Sequence, residues 1–404
     1  MSMSVLGCKG YERTIDEMKA RLGVELGWTT PATTPSGQAL SQARRKLSSE
    51  RCRAVVTQVY ALCTMARSQA ATGYGGFRIL ALDGTKVTLP AYRSLRDHFG
   101  CPVQSPLGPQ ASFTVLWDVG ANQPVDWRVG AYRVCERIHG HEFVSTLGAG
   151  DLLLADRNFP SRRMLIALHG RRADWLMRVR SVGSGTLAEV SAFVDSGLNE
   201  QQVTLVQRDH HGKPLSAAVK LSVRLLRKEL ADGSAAVFIT SLLDPLRHPA
   251  ATLIDLYAER WKVETAFREL KIWHGLERFH ARYPDGISQE IAALMLFQLL
   301  ASELEARARI HHGTTIDSIE PPDQTPQVRT RTLRFNRRIV ADCAVNMLYA
   351  AAHSDLQLRE TFDYSLYRIW RYRQNVKPGR SFARERKSPA RGWRNRAAIR
   401  NTTS

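Results

Sequence analysis

LYAERWKVETAFRELKIWHGLERF, residues 256–279, carries more charge than a packing helix needs. Pro249 stands before it and Gly275 near its end, so the pattern predicts a helix over about 251–274. On a wheel at about 100° per residue, Tyr257, Arg260, Glu264 and Lys271 share an arc of about 60°. Leu256, Val263, Phe267 and Leu270 form a neighbouring apolar stripe, which reads as the core face. The four polar residues therefore flank the core. A solvated helix face with i,i+4 pairs would give Arg260 and Glu264 the same spacing, worth a few tenths of a kcal/mol. Geometry alone leaves both readings open.

Working outward, short apolar runs precede this helix. FRILALD (77–83) and DLLLAD (151–156) each end in an aspartate, ASFTVLWD (111–118) and VDWRVGAYRV (125–134) look like strands, and DWLMRVR is another. HEFVSTLGA and SRRMLIALH read as helices. The order β-β-β-α-β-α-β implies a mixed sheet covered by helices. Between that sheet and the charged helix, QQVTLVQR, AAVKLSVRLL and AAVFITSLLD alternate with period two, with turn signals DHHGK and ADGS between them. They predict an antiparallel β insertion over 181–247.

The remaining segments are helical or basic. Residues 1–72 show helical spacing with a basic face, with Ser36 or Ser41 as a candidate cap for the second helix. That region can be a DNA-binding unit or a packing helix pair. SQEIAALMLFQLLASELEARARI (288–310) is a strongly apolar helix, PPDQTPQ (321–327) a loop and IVADCAVNMLYAAA a further helix. The expected organisation is a helical N-terminal region at 1–72, a mixed-sheet core at 73–180 and 248–352 interrupted by the insertion, and a basic tail at 353–404. The arginine-rich, apolar-poor stretch from Tyr367 is expected to be largely disordered.

Composition points to a polyanion. Lys and Arg number 57 against 38 Asp and Glu, leaving a formal charge of +19 over 404 residues. Nucleic acid is the first partner this implies, ahead of a membrane surface. No run of about 18 apolar residues predicts a membrane span, and MSMSVLGCKGYERTIDEM lacks the apolar core of a signal peptide. A cytoplasmic location is the expectation. The six cysteines contain no C-x-x-C pair, which argues against a disulfide framework or zinc ribbon. Cys135, His139 and His141 in CERIHGH fit no common zinc spacing.

Asp83 and Asp156 change the weight given to Glu264. A lone aspartate after a strand is usually a turn or capping residue. Two on strands of one sheet can converge at its edge, and Glu264 from a covering helix makes three. Like charges held together are costly unless cations neutralise them. Mg²⁺ prefers carboxylate, water and phosphate oxygens, and a pair of such ions suits phosphodiester chemistry. The surplus of positive charge would then hold DNA over an acidic site.

At this point Y-x-x-R-x-x-x-E-x-x-x-x-x-x-K, formed by Tyr257, Arg260, Glu264 and Lys271, resembles the signature of insertion-sequence transposases of the IS-four type. These are DDE transposases with a ribonuclease-H-like core. LDGT around Asp83 and ADRNF around Asp156 look like the family's two aspartate motifs. The second usually has Gly-Tyr where this chain has Asn158-Phe159. The β insertion also matches, and the resemblance runs from about residue 36 to 350.

The resemblance implies an α/β, ribonuclease-H-like mixed sheet with flanking helices and a helical N-terminal region. It implies Asp83, Asp156 and Glu264 as catalytic ligands of two Mg²⁺ ions, with Mn²⁺ as a substitute. Tyr257, Arg260 and Lys271 would contact phosphates of the transposon end, roles that suit a hydroxyl donor, a bidentate guanidinium and a point charge. The partner would be double-stranded DNA, at transposon ends and target, brought together by a dimer in a bacterial, nucleoid-associated setting. The reaction would be cut-and-paste transposition. Some members stack a flipped base on a tryptophan; Trp175, Trp261 and Trp273 are nearby in sequence, read as core, and none is assigned. Two other readings are a DNA-binding derivative without catalysis and a ribonuclease-H-like nuclease without strand transfer.

Overall fold

In the computed structural model, which describes residues 10–67, 74–102, 108–183, 185–209, 213–230, 233–272, 274–312, 315–318 and 329–375, the strand carrying Asp83 does not end there. β1 runs Arg78–Thr88. Its antiparallel neighbour β2 (Gln110–Asp118) stays paired along it from Leu80↔Asp118 to Thr88↔Gln110. The Asp83-Gly84 pair is therefore inside a strand, where the sequence suggests a turn. β3 (Gln123–Ala131) returns beside β2. β4 (Asp151–Ala155) pairs parallel with β1, and the last matched residues are Leu82 and Ala155. Asp83 and Asp156 are the next residue on each strand, where the sheet opens.

β5 (Asp174–Val179) lies parallel to β4. Every residue of β4 is buried, as expected of a central strand covered on both faces. β6 (Glu200–Val206), β7 (Lys220–Glu229) and β8 (Ala235–Thr240) form the expected antiparallel set. They do not make a separate layer. β8 pairs with β5 and extends one eight-stranded sheet, in the order β3-β2-β1-β4-β5-β8-β7-β6. Alternation such as Leu221, Val223 and Leu225 buried on one face supplies the packing side.

Helices flank this sheet. In chain order they are α1 (Tyr11–Leu22), α2 (Gly37–Arg45), α3 (Ser49–Arg67), α4 (Arg93–Phe99), α5 (Glu136–Phe143) and α6 (Arg162–Gly170). Ser36 caps α2 by accepting from the Ala39 N–H. α7 (Ala188–Ser196) was not expected inside the insertion; it closes on Gly197, in the left-handed conformation that favours glycine. The charged segment forms α8 (Ala250–Tyr257), one 3₁₀ turn at Ala258–Arg260, and α9 (Trp261–Ile272). Its last helical residue is Ile272, two short of the expected 274, and Gly275 follows with a φ of 72° that suits a glycine.

α10 (Pro284–His312) is long and apolar enough to span a membrane by length and composition, but 72% of its apolar window is buried in the fold. It buries Gln289, Glu290, Gln298 and Glu305, each with partners, which marks a packing helix. Arg44 of α2 donates to Glu290, Gln289 and the Gly286 carbonyl. At this arginine the basic N-terminal face packs on the core. α11 (Arg337–His353) and α12 (Asp355–Arg371) then build a second apolar cluster with α10, including Phe297, Leu304, Val340, Leu366 and Ile369. A tail beginning at 353 is thus corrected: Leu366 and Ile369 give α12 an apolar face to bury. Residues 376–404, the loop at 321–327 and Trp273 lie outside the described residues.

Candidate active site

The parallel pairing of β1 and β4 brings Asp83 and Asp156 to one opening of the sheet. Such crevices beyond the carboxyl ends of parallel strands are where open α/β sheets bind ligands. α9 crosses β1 and supplies Glu264. Arg260, on the turn between α8 and α9, joins two of the acids. Its Nη1 donates to Asp83 Oδ2 at 3.2 Å and its Nη2 to Glu264 Oε1 at 2.7 Å. The wheel places Arg260 at the core boundary, but the structure buries it to 5% exposure, under the Trp261 ring at 4.8 Å.

Asp83 shows the cost of this arrangement. Burial pushes its carboxyl up to about 6; the Gly84 N–H and Arg260 oppose the rise, and Glu264 and Asp156 add to it. All three acids therefore act in one field. Asp156 Oδ1 accepts the Asn158 N–H at 2.7 Å, which fixes the turn after β4. The donor set is oxygen only and anionic, which suits a hard divalent cation. No group of three or more His, Cys, Asp or Glu forms a ligand cluster among the described residues, and Arg260 stands as the positive charge between Asp83 and Glu264. The acids fit a metal by chemistry and by their shared field, with Arg260 as its competitor. The CERIHGH residues make no metal cluster either; His139 is buried against Thr114, Nδ1 to Oγ1 at 2.9 Å.

The other signature residues are tied to the protein's own groups. The Tyr257 hydroxyl donates to the Ala155 carbonyl at 3.3 Å, one residue before Asp156. Burial pushes that hydroxyl up to about 12, with Arg260 opposing and Asp156 adding. Lys271 Nζ donates to the Lys86 carbonyl at 2.9 Å and to Thr85 Oγ1 at 3.3 Å, and pairs with Glu277 at 3.2 Å. Glu277 also accepts the Thr88 N–H, so it fastens the end of β1 to the segment after α9. The sequence gives no reason to separate Glu277 or Glu269 from ordinary helix charges. Glu269 is buried and pairs with Arg337 of α11 at 3.2 Å, and Arg337 also pairs with Glu305.

Two further features escape the sequence reading. Glu136, first residue of α5, lies over Gly84: a Cβ there would stand 2.5 Å from Glu136 Cδ. Burial raises the Glu136 carboxyl, Lys86 lowers it and Asp156 raises it again. The glycine in LDGT is the sequence trace of that close approach. Of the tryptophans, Trp175 is fully buried, as expected, whereas Trp261 is 57% exposed beside Arg260.

A family described as Transposase DDE domain matches residues 75–300. The chain is 24% identical over 286 residues to the transposase InsG for insertion sequence element IS4 of Escherichia coli (strain K12), covering 68% of this chain and 62% of that relative. It thus spans somewhat less than two thirds of that protein's length. It is 25% identical over 283 residues to the putative transposase InsL for element IS186A of the same organism, covering 61% and 71%. Among solved structures, a piggyBac transposase synaptic complex with hairpin DNA aligns over 94% of this chain and 75% of that one, loosely, at a TM-score of 0.41 and 12% identity.

Proposed function

Because the chain belongs to the family of transposases built on a DDE domain, which matches more than half of it, we propose that it is an insertion-sequence transposase of the IS4 type that cuts DNA at the element's ends and joins the freed 3′ hydroxyl to target DNA. The observation that supports this reading is that Asp83 and Asp156 lie side by side where β1 and β4 cease to pair, with Arg260 joining Asp83 to Glu264 of α9.

DDE transposases generally use divalent metals. Here Asp83, Asp156 and Glu264 would hold two Mg²⁺ ions, or Mn²⁺ in their place. When bound, such ions supply activation of the attacking oxygen and stabilisation of the leaving one. The rest is the work of the chain's own residues. Arg260 keeps Asp83 and Glu264 together while they are ionised. Its guanidinium can then exchange one carboxylate for a phosphate oxygen of the transposon end, since each carboxylate holds it by a single hydrogen bond. Lys271, partly exposed and held by a carbonyl, a hydroxyl and Glu277, is a second phosphate contact. Tyr257 serves best by holding the Ala155 carbonyl and so the strand end that carries Asp156; a phosphate contact would require its hydroxyl to leave that bond.

The cut-and-paste course, a dimer in the synaptic complex and a cytoplasmic, nucleoid-associated setting complete the proposal. The helical region before residue 73 would add DNA contacts. Strand transfer is the step that separates this reading from a nuclease. A pre-cleaved duplex carrying the terminal repeats that flank the gene, incubated with supercoiled plasmid and Mg²⁺, should become covalently joined to the plasmid through its 3′ hydroxyl. Nicked plasmid without joined product would support the nuclease reading, and bound DNA with neither would support the inactive one.

A further inference from the structure

We propose that Arg137, Arg157 and Arg180 form a phosphate-binding lip beside Asp156, assembled around Asn158 and taking the backbone of duplex DNA. The proposal rests on the DNA-processing reading above and adds residues that the Y-R-E-K signature does not contain.

Asn158 organises the lip. Its N–H is used by Asp156 Oδ1 at 2.7 Å. Its backbone carbonyl accepts from Arg137 Nε at 3.1 Å, and its side-chain Oδ1 accepts from Arg180 Nη2 at 3.1 Å. One residue thus ties the acid of the site to two guanidinium groups from different elements. Arg137 comes from the first turn of α5, and Arg180 follows the last residue of β5, which runs parallel to β4. Arg157 stands exposed between Asp156 and Asn158 in the chain. The side-chain acceptor for Arg180 exists because this position is an asparagine; a glycine would leave that guanidinium without it.

The contrast with the other arginines of the fold gives the lip its meaning. Arg78, Arg128, Arg162, Arg224 and Arg337 each pair with an aspartate or glutamate, as structural arginines do. Arg137 and Arg157 form no ion pair with a carboxylate among the described residues. The guanidinium of Arg137 is instead aimed by a carbonyl, which fixes its position without neutralising its charge. Planar cations held this way match phosphate oxygens. Arg157 and Arg180 are exposed and Arg137 is half-buried, whereas Arg260 and Lys271 begin engaged with protein partners. The lip would therefore be the first contact of DNA, and the signature residues would follow.

The test is the salt dependence of binding to a labelled random-sequence duplex, measured by fluorescence anisotropy between about 50 and 200 mM KCl, where each neutralised phosphate adds about 0.9 to the log–log slope. Arg137→Ala/Arg157→Ala should flatten the slope by about two, and Arg137→Lys/Arg157→Lys should restore most of it, because charge rather than shape carries this term. An alanine pair with the wild-type slope would overturn the lip, as would a lysine pair as flat as the alanine pair. If the alanine pair does not fold, the lysine pair alone decides when compared with Arg137→Gln/Arg157→Gln. A wild-type chain that binds no duplex at any salt overturns the DNA reading itself, a result distinct from failure of the lip.

Discussion

Replacing Asp83 with asparagine should make the metal-free protein more stable while removing its response to metal. Asp83 is held above its ordinary 3.8 at about 6, chiefly by burial. The folded chain therefore binds that proton more tightly than the unfolded chain. Stability is greatest with respect to this group below about pH 4, declines as pH rises toward 6, and stays reduced above it. A shift of about two units corresponds to about 3 kcal/mol. Asp83 is only 13% exposed, so solvent screening removes little of this. That shift already contains the attraction of Arg260, so losing this ionic partner takes nothing further from the gain. The net gain is about 3 kcal/mol, or a melting temperature higher by about 3–4 °C for a chain of 404 residues. Differential scanning fluorimetry at about pH 7.5, with and without Mn²⁺, reads both effects. Wild type should gain stability on Mn²⁺ addition and the variant should not. At about pH 4 the variant's advantage should vanish. A variant less stable than wild type at both pH values, or one that keeps the full Mn²⁺ response, would refute the reasoning.

Further outcomes follow from the same contacts. Metal affinity measured by calorimetry should rise about tenfold per pH unit below 6 and level off above it, because Asp83 must lose its proton to bind. Lys271→Ala should lower the salt slope of end-DNA binding by about one and slightly lower the melting temperature; an unchanged slope would keep Lys271 as a tie to β1 alone. Arg337→Ala leaves Glu269 and Glu305 without their shared cation and should cost about 3 kcal/mol in denaturant unfolding, with little effect if the pair is dispensable.

Particular residues show how far the sequence could be read. Strand order up to β5 and the hairpins beyond it were visible because apolar runs and period-two alternation are local signals. The three acids were visible through two strand ends and one helix position. The length of β1 past Asp83 was not, because pairing with β2 rather than apolarity extends it. The docking of β8 onto β5 is likewise a tertiary fact that no local pattern carries. A wheel assumes a straight helix; the 3₁₀ turn at Ala258–Arg260 and the sheet beneath it bury Arg260 instead. Glu277 and Glu269 look like any helix charge until β1 and α11 supply their partners. α12 was missed because arginines and tyrosines on its exposed face hide Leu366 and Ile369.

The central claim is that Asp83, Asp156 and Glu264 together make this chain cut DNA. Cleavage of a duplex carrying the flanking terminal repeats, followed with Mg²⁺ for wild type and Glu264→Gln, tests it most directly. Wild type should release a 3′ hydroxyl at the element's end, and Glu264→Gln should bind the same duplex and cut it no faster than background. Cleavage that survives the substitution, or wild type that binds the ends and never cuts with Mg²⁺ or Mn²⁺, would contradict it.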